Sequence, residues 1–176
     1  MIRLAVIFLS HLLLWFLVGG LNHAIAGWQI QLFAGGLFVT YPALRMERTE
    51  GLLASLLAGL IVDAASPLPF GQTALLFGIA HTLMLQLRPR LAISKAPLQA
   101  VIAILAGVVL YLAKTALLAR GLPSVSGIWG RMLWELFLSS VLIGLCAPWF
   151  FALQDRCLQL AQAPLLRRPP AGDDDN

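Results

Sequence analysis

Charged side chains are scarce in this chain of 176 residues, where Asp, Glu, Lys and Arg make up 11% of the sequence. Soluble domains average about 25% charged residues, so this chain cannot cover a water-facing surface, and a soluble globular fold is excluded. Runs of strict apolar–polar alternation are also absent, which argues against a transmembrane barrel. Hydrophobic residues make up 60% of the chain, with a mean hydropathy of +0.86. The composition therefore predicts an all-α integral membrane protein.

Cysteine and histidine are also few, with two and three residues respectively. Cys146 lies in an apolar segment and Cys157 just follows it, without the spacing of a metal or redox motif. His11 and His81 fall near the middle of apolar segments. Packed histidines are commoner there than ligands, and a pair of axial haem ligands is the alternative. Because signatures of hydrolases, zinc proteases and phosphate loops are absent, we expect no enzymatic activity, cofactor or metal.

Six apolar segments follow one another along the chain, at 4–21, 29–44, 51–66, 71–87, 97–119 and 132–153. About 20 apolar residues cross a bilayer, so the second and third segments are somewhat short. The pattern predicts a bundle of six transmembrane helices in one domain, residues 1–158. The tail, residues 159–176, is rich in proline and ends in aspartates, so we expect it to be disordered in the cytoplasm.

The basic residues predict the orientation of the helices. Nine of the twelve lie on the same side as the N-terminus: Arg3, Arg45, Arg48, Arg88, Arg90, Lys95, Arg156, Arg167 and Arg168. Because cytoplasmic loops carry the excess of Lys and Arg, both termini are expected in the cytoplasm, and the net charge of +4 does not indicate nucleic acid as a partner. A cleavable signal peptide ending near Ala24-Ile25-Ala26 is the alternative to a first transmembrane helix.

Small residues form stripes on two of the predicted helices. Gly51, Ser55, Gly59 and Asp63 are spaced by four, which places them near one face of the third helix. Ala103 and Gly107 repeat the spacing on the fifth helix. Small residues allow two helices to approach closely within a membrane. The stripes therefore predict helix packing inside the bundle, with a face that binds a partner helix as the alternative.

A chain reversal is predicted after the third helix, on the outer side of the membrane. Pro67 and Pro69 lack a backbone N–H and fix φ, and Gly71 permits a tight turn into the fourth helix. Asp63 can accept hydrogen bonds from N–H groups of this turn. An outer hairpin is the simplest interpretation, and a re-entrant loop is the alternative.

Four charged residues are expected to form a polar cluster in the outer leaflet: Asp63, Lys114, Arg131 and Glu135. Arg131 and Glu135 are four residues apart on one helix, a spacing typical of ion pairs. Because an isolated charge in a membrane is costly, Lys114 is expected to pair with Asp63 or Glu135. The cluster either fixes the register of the helices or forms a vestibule for a ligand or a partner segment.

The stretch Gly59-Leu-Ile-Val-Asp63, followed by Pro69-Phe-Gly71 and an apolar helix, resembles the MreD family of rod shape-determining proteins. A glycine, a nearby aspartate and a Pro-hydrophobic-Gly turn are typical of that family. The chain length, the six apolar segments and the basic loop 88–95 are also similar.

This resemblance implies a non-enzymatic scaffold in the bacterial inner membrane. Such a scaffold would work with MreC, the MreB filament, the RodA glycosyltransferase and a penicillin-binding transpeptidase in lateral peptidoglycan synthesis and cell shape. It also implies that a small-residue face could bind the single transmembrane helix of MreC, with Asp63 as the anchor of a structural turn.

The alternative is a vitamin transporter. Substrate-binding components of energy-coupling-factor transporters are similarly small six-helix proteins that bind a vitamin from the outer side. These components dock through a small-residue stripe on the first helix. Residues 1–21 lack such a stripe, since Ala5 is alone until Gly19-Gly20, and this favours the scaffold.

Overall fold

The computed structural model describes residues 2–66, 69–90, 96–119 and 129–166. Those residues form six α-helices and two short 3-10 turns, with no strand among them. In chain order the α-helices are α1 (Ile2–Ala24), α2 (Gly35–Arg45), α3 (Arg48–Asp63), α4 (Gln72–Leu87), α5 (Ala96–Ala119) and α6 (Trp129–Leu166). The 3-10 turns are Ala26–Trp28 and Arg88–Arg90.

Three of the helices, α1, α5 and α6, are long and apolar enough to cross a bilayer. Large apolar side chains remain exposed on their outer faces, for example Phe16, Leu105 and Leu145. Such a surface is rare on a soluble monomer and suits contact with lipid. Helix α4 is apolar too, but it has only 16 residues. The prediction of an all-helical fold with membrane-spanning helices is thus confirmed for the described residues.

Helix α2 is the central helix, and it is shorter than the apolar segment that predicted it. Every residue from Gly35 to Leu44 is buried, with α3, α4, α5 and α6 around them. Its 11 residues extend about 16 Å, roughly half the thickness of a bilayer core. Residues 29–34, predicted as part of this helix, instead form an irregular segment that starts at Gln29 with a left-handed backbone (φ 55°).

The hydrophobic core is centred on α2. Phe38 of α2 stacks on Phe77 of α4 with 6.2 Å between the ring centroids. Phe33 of the irregular segment approaches the same ring at 6.5 Å. His11 of α1 lies edge-on to Phe38 at 5.3 Å, so this histidine is part of an aromatic cluster. Ring pairs at such separations add to the stabilisation that burial provides.

Helix α6 continues past the predicted domain boundary at residue 158 and ends at Leu166. The first part of the expected tail is therefore helical. The physical reason is local, because Leu158-Gln159-Leu160-Ala161-Gln162 consists of residues with high helix propensity. Residues 167–176, with the terminal aspartates, lie outside the described part of the chain.

Candidate functional site

The reversal between α3 and α4 is held by the carboxylate of Asp63, which is only 3% exposed. Its Oδ2 accepts hydrogen bonds from the N–H groups of Gly71 at 3.0 Å and Ala74 at 3.1 Å. Its Oδ1 accepts one from Thr73 N–H at 3.0 Å. These are N–H groups at the start of α4, which lack partners within their own helix. We call Asp63 and the three residues that it binds the Asp63 corner.

Gly71 explains why the cap must come from another helix. It occupies the N-cap position of α4 with φ +96°, a backbone conformation that favours glycine. A glycine has no side chain with which to cap the helix. Asp63, at the last turn of α3, supplies both the acceptor oxygens and the negative charge that a helix N-terminus favours.

The rest of the predicted turn is only partly described. Ser66 N–H donates to the carbonyl of Asp63 at 3.0 Å, which closes the turn after α3. The carbonyl of Pro69 accepts a hydrogen bond from Gln72 N–H at 3.2 Å. Pro67, which the sequence placed in this turn, lies outside the described residues.

The first small-residue stripe faces other helices of the same chain. A Cβ atom on Gly59 would overlap the backbone of Ala74 on α4. A Cβ atom on Gly51 would lie 2.7 Å from the carbonyl oxygen of Pro42 on α2. Between the two glycines, Ser55 Oγ lies 3.1 Å from Nδ1 of His81 on α4. The stripe therefore allows close packing of α3 on α4 and α2.

The second small-residue stripe, Ala103 and Gly107, also faces other helices of the same chain. A Cβ atom on Gly36 of α2 would overlap the carbonyl oxygen of Ala103 and lie 2.7 Å from the backbone nitrogen of Gly107. A Cβ atom on Gly107 would overlap the side chain of Ile143 on α6. Sequence reasoning did not single out Gly36, although the pair Gly35-Gly36 inside an apolar segment is a signal for close helix approach. Neither stripe is open to a partner in the isolated chain, because its residues are covered by other helices.

The charged residues near the N-terminal end of α6 form a second polar site. Arg131 Nε lies 2.9 Å from Glu135 Oε1, an ion pair along one helix. Glu135 Oε2 accepts a hydrogen bond from Tyr111 O–H of α5 at 2.9 Å. Its Oε1 also accepts one from Gln31 N–H at 3.3 Å. We call Glu135 with these three partners the Glu135 junction.

Lys114 departs from the prediction that it pairs with Asp63 or Glu135. Within the described part of the chain no carboxylate lies within 4 Å of Lys114 Nζ. The ammonium group instead lies 5.1 Å from the centroid of the Phe33 ring, a cation–π distance. Each of the two carboxylates is instead held by three hydrogen bonds from other groups, and the charge of Asp63 acts on Lys114 without a direct contact.

Side chains of α1 and α6 replace helical hydrogen bonds in the irregular segment. Leu32 N–H donates to Asn22 Oδ1 at 2.7 Å, and Asn22 Nδ2 donates to the carbonyl of Leu32 at 3.0 Å. Phe33 N–H donates to Ser139 Oγ at 3.0 Å. Sequence reasoning missed Asn22, Gln31, Tyr111 and Ser139. Their signal is weak, because one or two polar residues within or beside an apolar segment form no distinctive pattern.

Two cavities of about 210 Å³ each flank the irregular segment. The first lies between α5 and α6, where Tyr111, Lys114, Thr115, Arg131 and Glu135 line it. The second lies toward α1 and α3, where Asn22 and Val62 line it. Gln31, Phe33 and Lys114 line both cavities. The structure thus brings Lys114, Arg131 and Glu135 to one cavity, whereas Asp63 binds the N-terminal end of α4 in the Asp63 corner.

A metal centre requires several ligating side chains close together. Among residues 2–66, 69–90, 96–119 and 129–166, there is no group of three or more His, Cys, Asp or Glu residues that could hold a metal ion. Both predicted mid-helix histidines contact protein groups, since His11 lies among aromatic rings and His81 approaches Ser55. What the polar sites offer chemically is hydrogen bonding and charge.

Comparison with known proteins identifies the family. Residues 31–157 match the family model described as rod shape-determining protein MreD. No curated protein and no solved structure matches the chain. The matched range contains the Asp63 corner, both small-residue stripes and the Glu135 junction, and the family is one of shape-determining structural proteins. Because the match covers most of its length, the chain belongs to the MreD family and has a role in rod shape determination.

Proposed function

We propose that this chain is a non-enzymatic scaffold of the bacterial inner membrane, which binds MreC and helps to organise lateral peptidoglycan synthesis. The family match over residues 31–157 is the observation that carries the proposal. Through MreC the scaffold would reach the MreB filament, RodA and a penicillin-binding transpeptidase. Its contribution would be to hold partners in position, by contacts between helices within the membrane.

The proposed topology has six membrane crossings within residues 1–158 and both termini in the cytoplasm. The excess of basic residues on the N-terminal side supports this orientation. The irregular segment and α2 would together make the second crossing. Irregular backbone is tolerated at membrane depth where protein covers it or where it lines a cavity. The bonds from Asn22 and Ser139 to this backbone, and the two cavities beside it, meet that condition.

The small-residue stripes would act on MreC indirectly. Gly51, Ser55 and Gly59 hold α3 against its neighbours, and Ala103 with Gly107 holds α5 against α2. We propose that these contacts between helices set the shape of the bundle. The transmembrane helix of MreC would then pack on the lipid-facing surface of the long helices. Close packing gives that surface a defined shape, which helix association in lipid requires.

A pull-down tests the scaffold directly. The chain, tagged and expressed at its native level, is purified in mild detergent, and the proteins that accompany it are identified by mass spectrometry. We expect a single-span periplasmic protein together with wall synthases. A membrane protein of unrelated function, with the same tag and abundance, is the control for non-specific recovery. Purification without wall-synthesis proteins above that control would contradict the proposal.

The transporter is the second candidate, because one observation favours it. Two cavities with polar and charged lining flank the irregular segment, near the outer side in the proposed topology. A substrate-binding component would use such a space for its vitamin. In the same pull-down, a transmembrane coupling subunit with two ATPases would indicate this function. Lys114 and Glu135 would then be candidates for the substrate site.

A further inference from the structure

The cavity between α5 and α6 has two basic side chains in its lining and unused capacity to bind an anion. Lys114 contacts the Phe33 ring but has no carboxylate within 4 Å in the described part of the chain. Arg131 uses its Nε for Glu135, and its side chain is 54% exposed. A guanidinium group has five N–H donors, so Arg131 retains donors that can face the cavity.

The charges that line this cavity do not balance. Glu135 carries one negative charge, and its oxygens already accept bonds from Arg131, Tyr111 and the backbone. Lys114 adds a second positive charge to the same lining. The negative charge of Asp63 acts on Lys114 from outside the lining, but Lys114 has no carboxylate in direct contact. A charge without a direct partner is costly within a membrane, and an anion in the cavity would offset that cost.

The size and surroundings of the cavity restrict the anion. A volume of about 210 Å³ is below the 300–1,000 Å³ typical of pockets that enclose a whole organic ligand, so a compact charged group fits better. The two helices that line the cavity also carry exposed apolar side chains, with Leu133 of α6 at 64% and Leu112 of α5 at 49%. Acyl chains can therefore lie against the same helices whose polar side chains line the cavity.

We propose that this cavity binds a phosphate group between Lys114 and Arg131, carried by an anionic phospholipid or by a soluble phosphate compound. Arg131 would bind two phosphate oxygens with its planar group, and Lys114 would act as a point charge. Tyr111 and Thr115 also line the cavity, but their hydroxyl groups already donate to Glu135 and to the Tyr111 carbonyl, so the two basic side chains would be the main phosphate donors. This inference goes beyond the scaffold function and does not depend on binding to MreC.

The test uses the full-length chain, purified in detergent and stripped of lipid. Native mass spectrometry measures its affinity for phosphatidylglycerol and for phosphatidylcholine with identical acyl chains, and a second arm measures thermal stabilisation by inorganic phosphate. We expect the wild-type chain to prefer phosphatidylglycerol. Lys114→Gln and Arg131→Gln should each lower that affinity about tenfold, the ratio that corresponds to about 1.4 kcal/mol. Lys114→Arg should retain most of it.

Arg45→Gln is the matched control, because Arg45 is exposed on α2 and also loses one positive charge. Its affinity for phosphatidylglycerol should equal that of the wild-type chain. If inorganic phosphate stabilises the chain through Lys114 but phosphatidylglycerol does not bind, the phosphate belongs to a soluble compound. The proposal is overturned if Lys114→Gln elutes as a single folded species and binds both probes as the wild-type chain does. Equal weakening by Arg45→Gln would also overturn it.

Discussion

Two carboxylates are buried in the described part of the chain, and they have equal numbers of hydrogen-bond partners but very different kinds. Asp63 accepts three hydrogen bonds, all from backbone N–H groups within 8 to 11 residues along the chain. Glu135 also accepts three, from two side chains and one backbone group on three different elements. Its most distant partner, Gln31, is 104 residues away in sequence.

The two sets of partners give the two sites different roles. The partners of Asp63 are fixed in a helix, so they cannot turn to other acceptors if the carboxylate is removed. Glu135 instead has partners such as Arg131 that can rotate toward water or a ligand, and a cavity lies beside it. We therefore regard the Asp63 corner as a rigid structural element and the Glu135 junction as an adaptable site.

Replacing Gly59 with Leu should have the largest effect, because it separates α3 from α4 and so removes the support of the Asp63 corner. Even a Cβ atom at this position overlaps the backbone of Ala74, and overpacking typically costs about 1–3 kcal/mol or more. We expect Gly59→Leu to insert into the membrane but to fail to restore rod shape in cells that lack the wild-type chain. Cell shape by microscopy and protein level by immunoblot are the measurements.

Gly20→Leu is the control for that substitution, because nothing lies within 4 Å of a Cβ atom at Gly20 on α1. This variant should have the thermal stability of the wild-type chain. Normal rod shape with Gly59→Leu as the sole source of the protein would contradict the importance of the α3–α4 contact.

Replacing Asp63 with Ala should have the next largest effect. It leaves three N–H groups at the start of α4 without their acceptor, and each unsatisfied buried group costs about 1–3 kcal/mol. We expect a loss of about 3 kcal/mol in the free energy of unfolding. Fluorescence of the five tryptophans during heating in detergent gives the Tm.

Asp63→Asn sharpens this prediction, since it keeps one acceptor oxygen and removes the charge. Its Tm should lie between those of the wild-type chain and Asp63→Ala. If Asp63→Ala unfolds at the wild-type temperature, the carboxylate does not anchor the corner.

Replacing Glu135 with Ala should cost less, about 1–2 kcal/mol, because Arg131 and Tyr111 can find other partners. The comparison between the two sites therefore predicts a higher Tm and a greater abundance for Glu135→Ala than for Asp63→Ala. Both variants can be compared in one purification series in detergent. Equal abundance and equal Tm values would remove the distinction between a rigid and an adaptable site.

Replacing Tyr111 with Phe should have the smallest effect. It removes one hydrogen bond to Glu135 and retains the ring against Phe33, whose centroid is 6.4 Å away. A loss of about 1 kcal/mol or less is expected, measured as a small decrease in Tm. A decrease in Tm as large as that of Glu135→Ala would mean that the hydrogen bond from Tyr111 provides most of the stabilisation at the Glu135 junction.

How well each site could be predicted follows from the distance between its partners along the chain. Asp63, Pro69 and Gly71 lie close together in sequence, so the sequence already suggested a reversal in which Asp63 accepts hydrogen bonds from the turn. The contacts of Gln31 and Ser139 join residues more than 100 positions apart. No local pattern indicates such contacts without an arrangement of the helices in space.

The error at Lys114 has a similar origin. Counting helical turns placed Lys114, Asp63 and Glu135 at a similar depth, and the cost of an isolated charge then suggested an ion pair. Depth says nothing about which groups have already occupied the carboxylates. The structure shows that other donors occupy both, and that Lys114 lies over Phe33 instead.

Composition and local pattern were enough to predict a helical chain that is apolar enough for a membrane and has six apolar segments, because hydropathy and helix propensity are properties of neighbouring residues. Only the tertiary structure decided that α2 begins at Gly35, that residues 29–34 are irregular, and that their N–H groups bond to Asn22, Glu135 and Ser139. The reason is that a backbone group can leave its helix only where a distant side chain is positioned to replace the lost hydrogen bond.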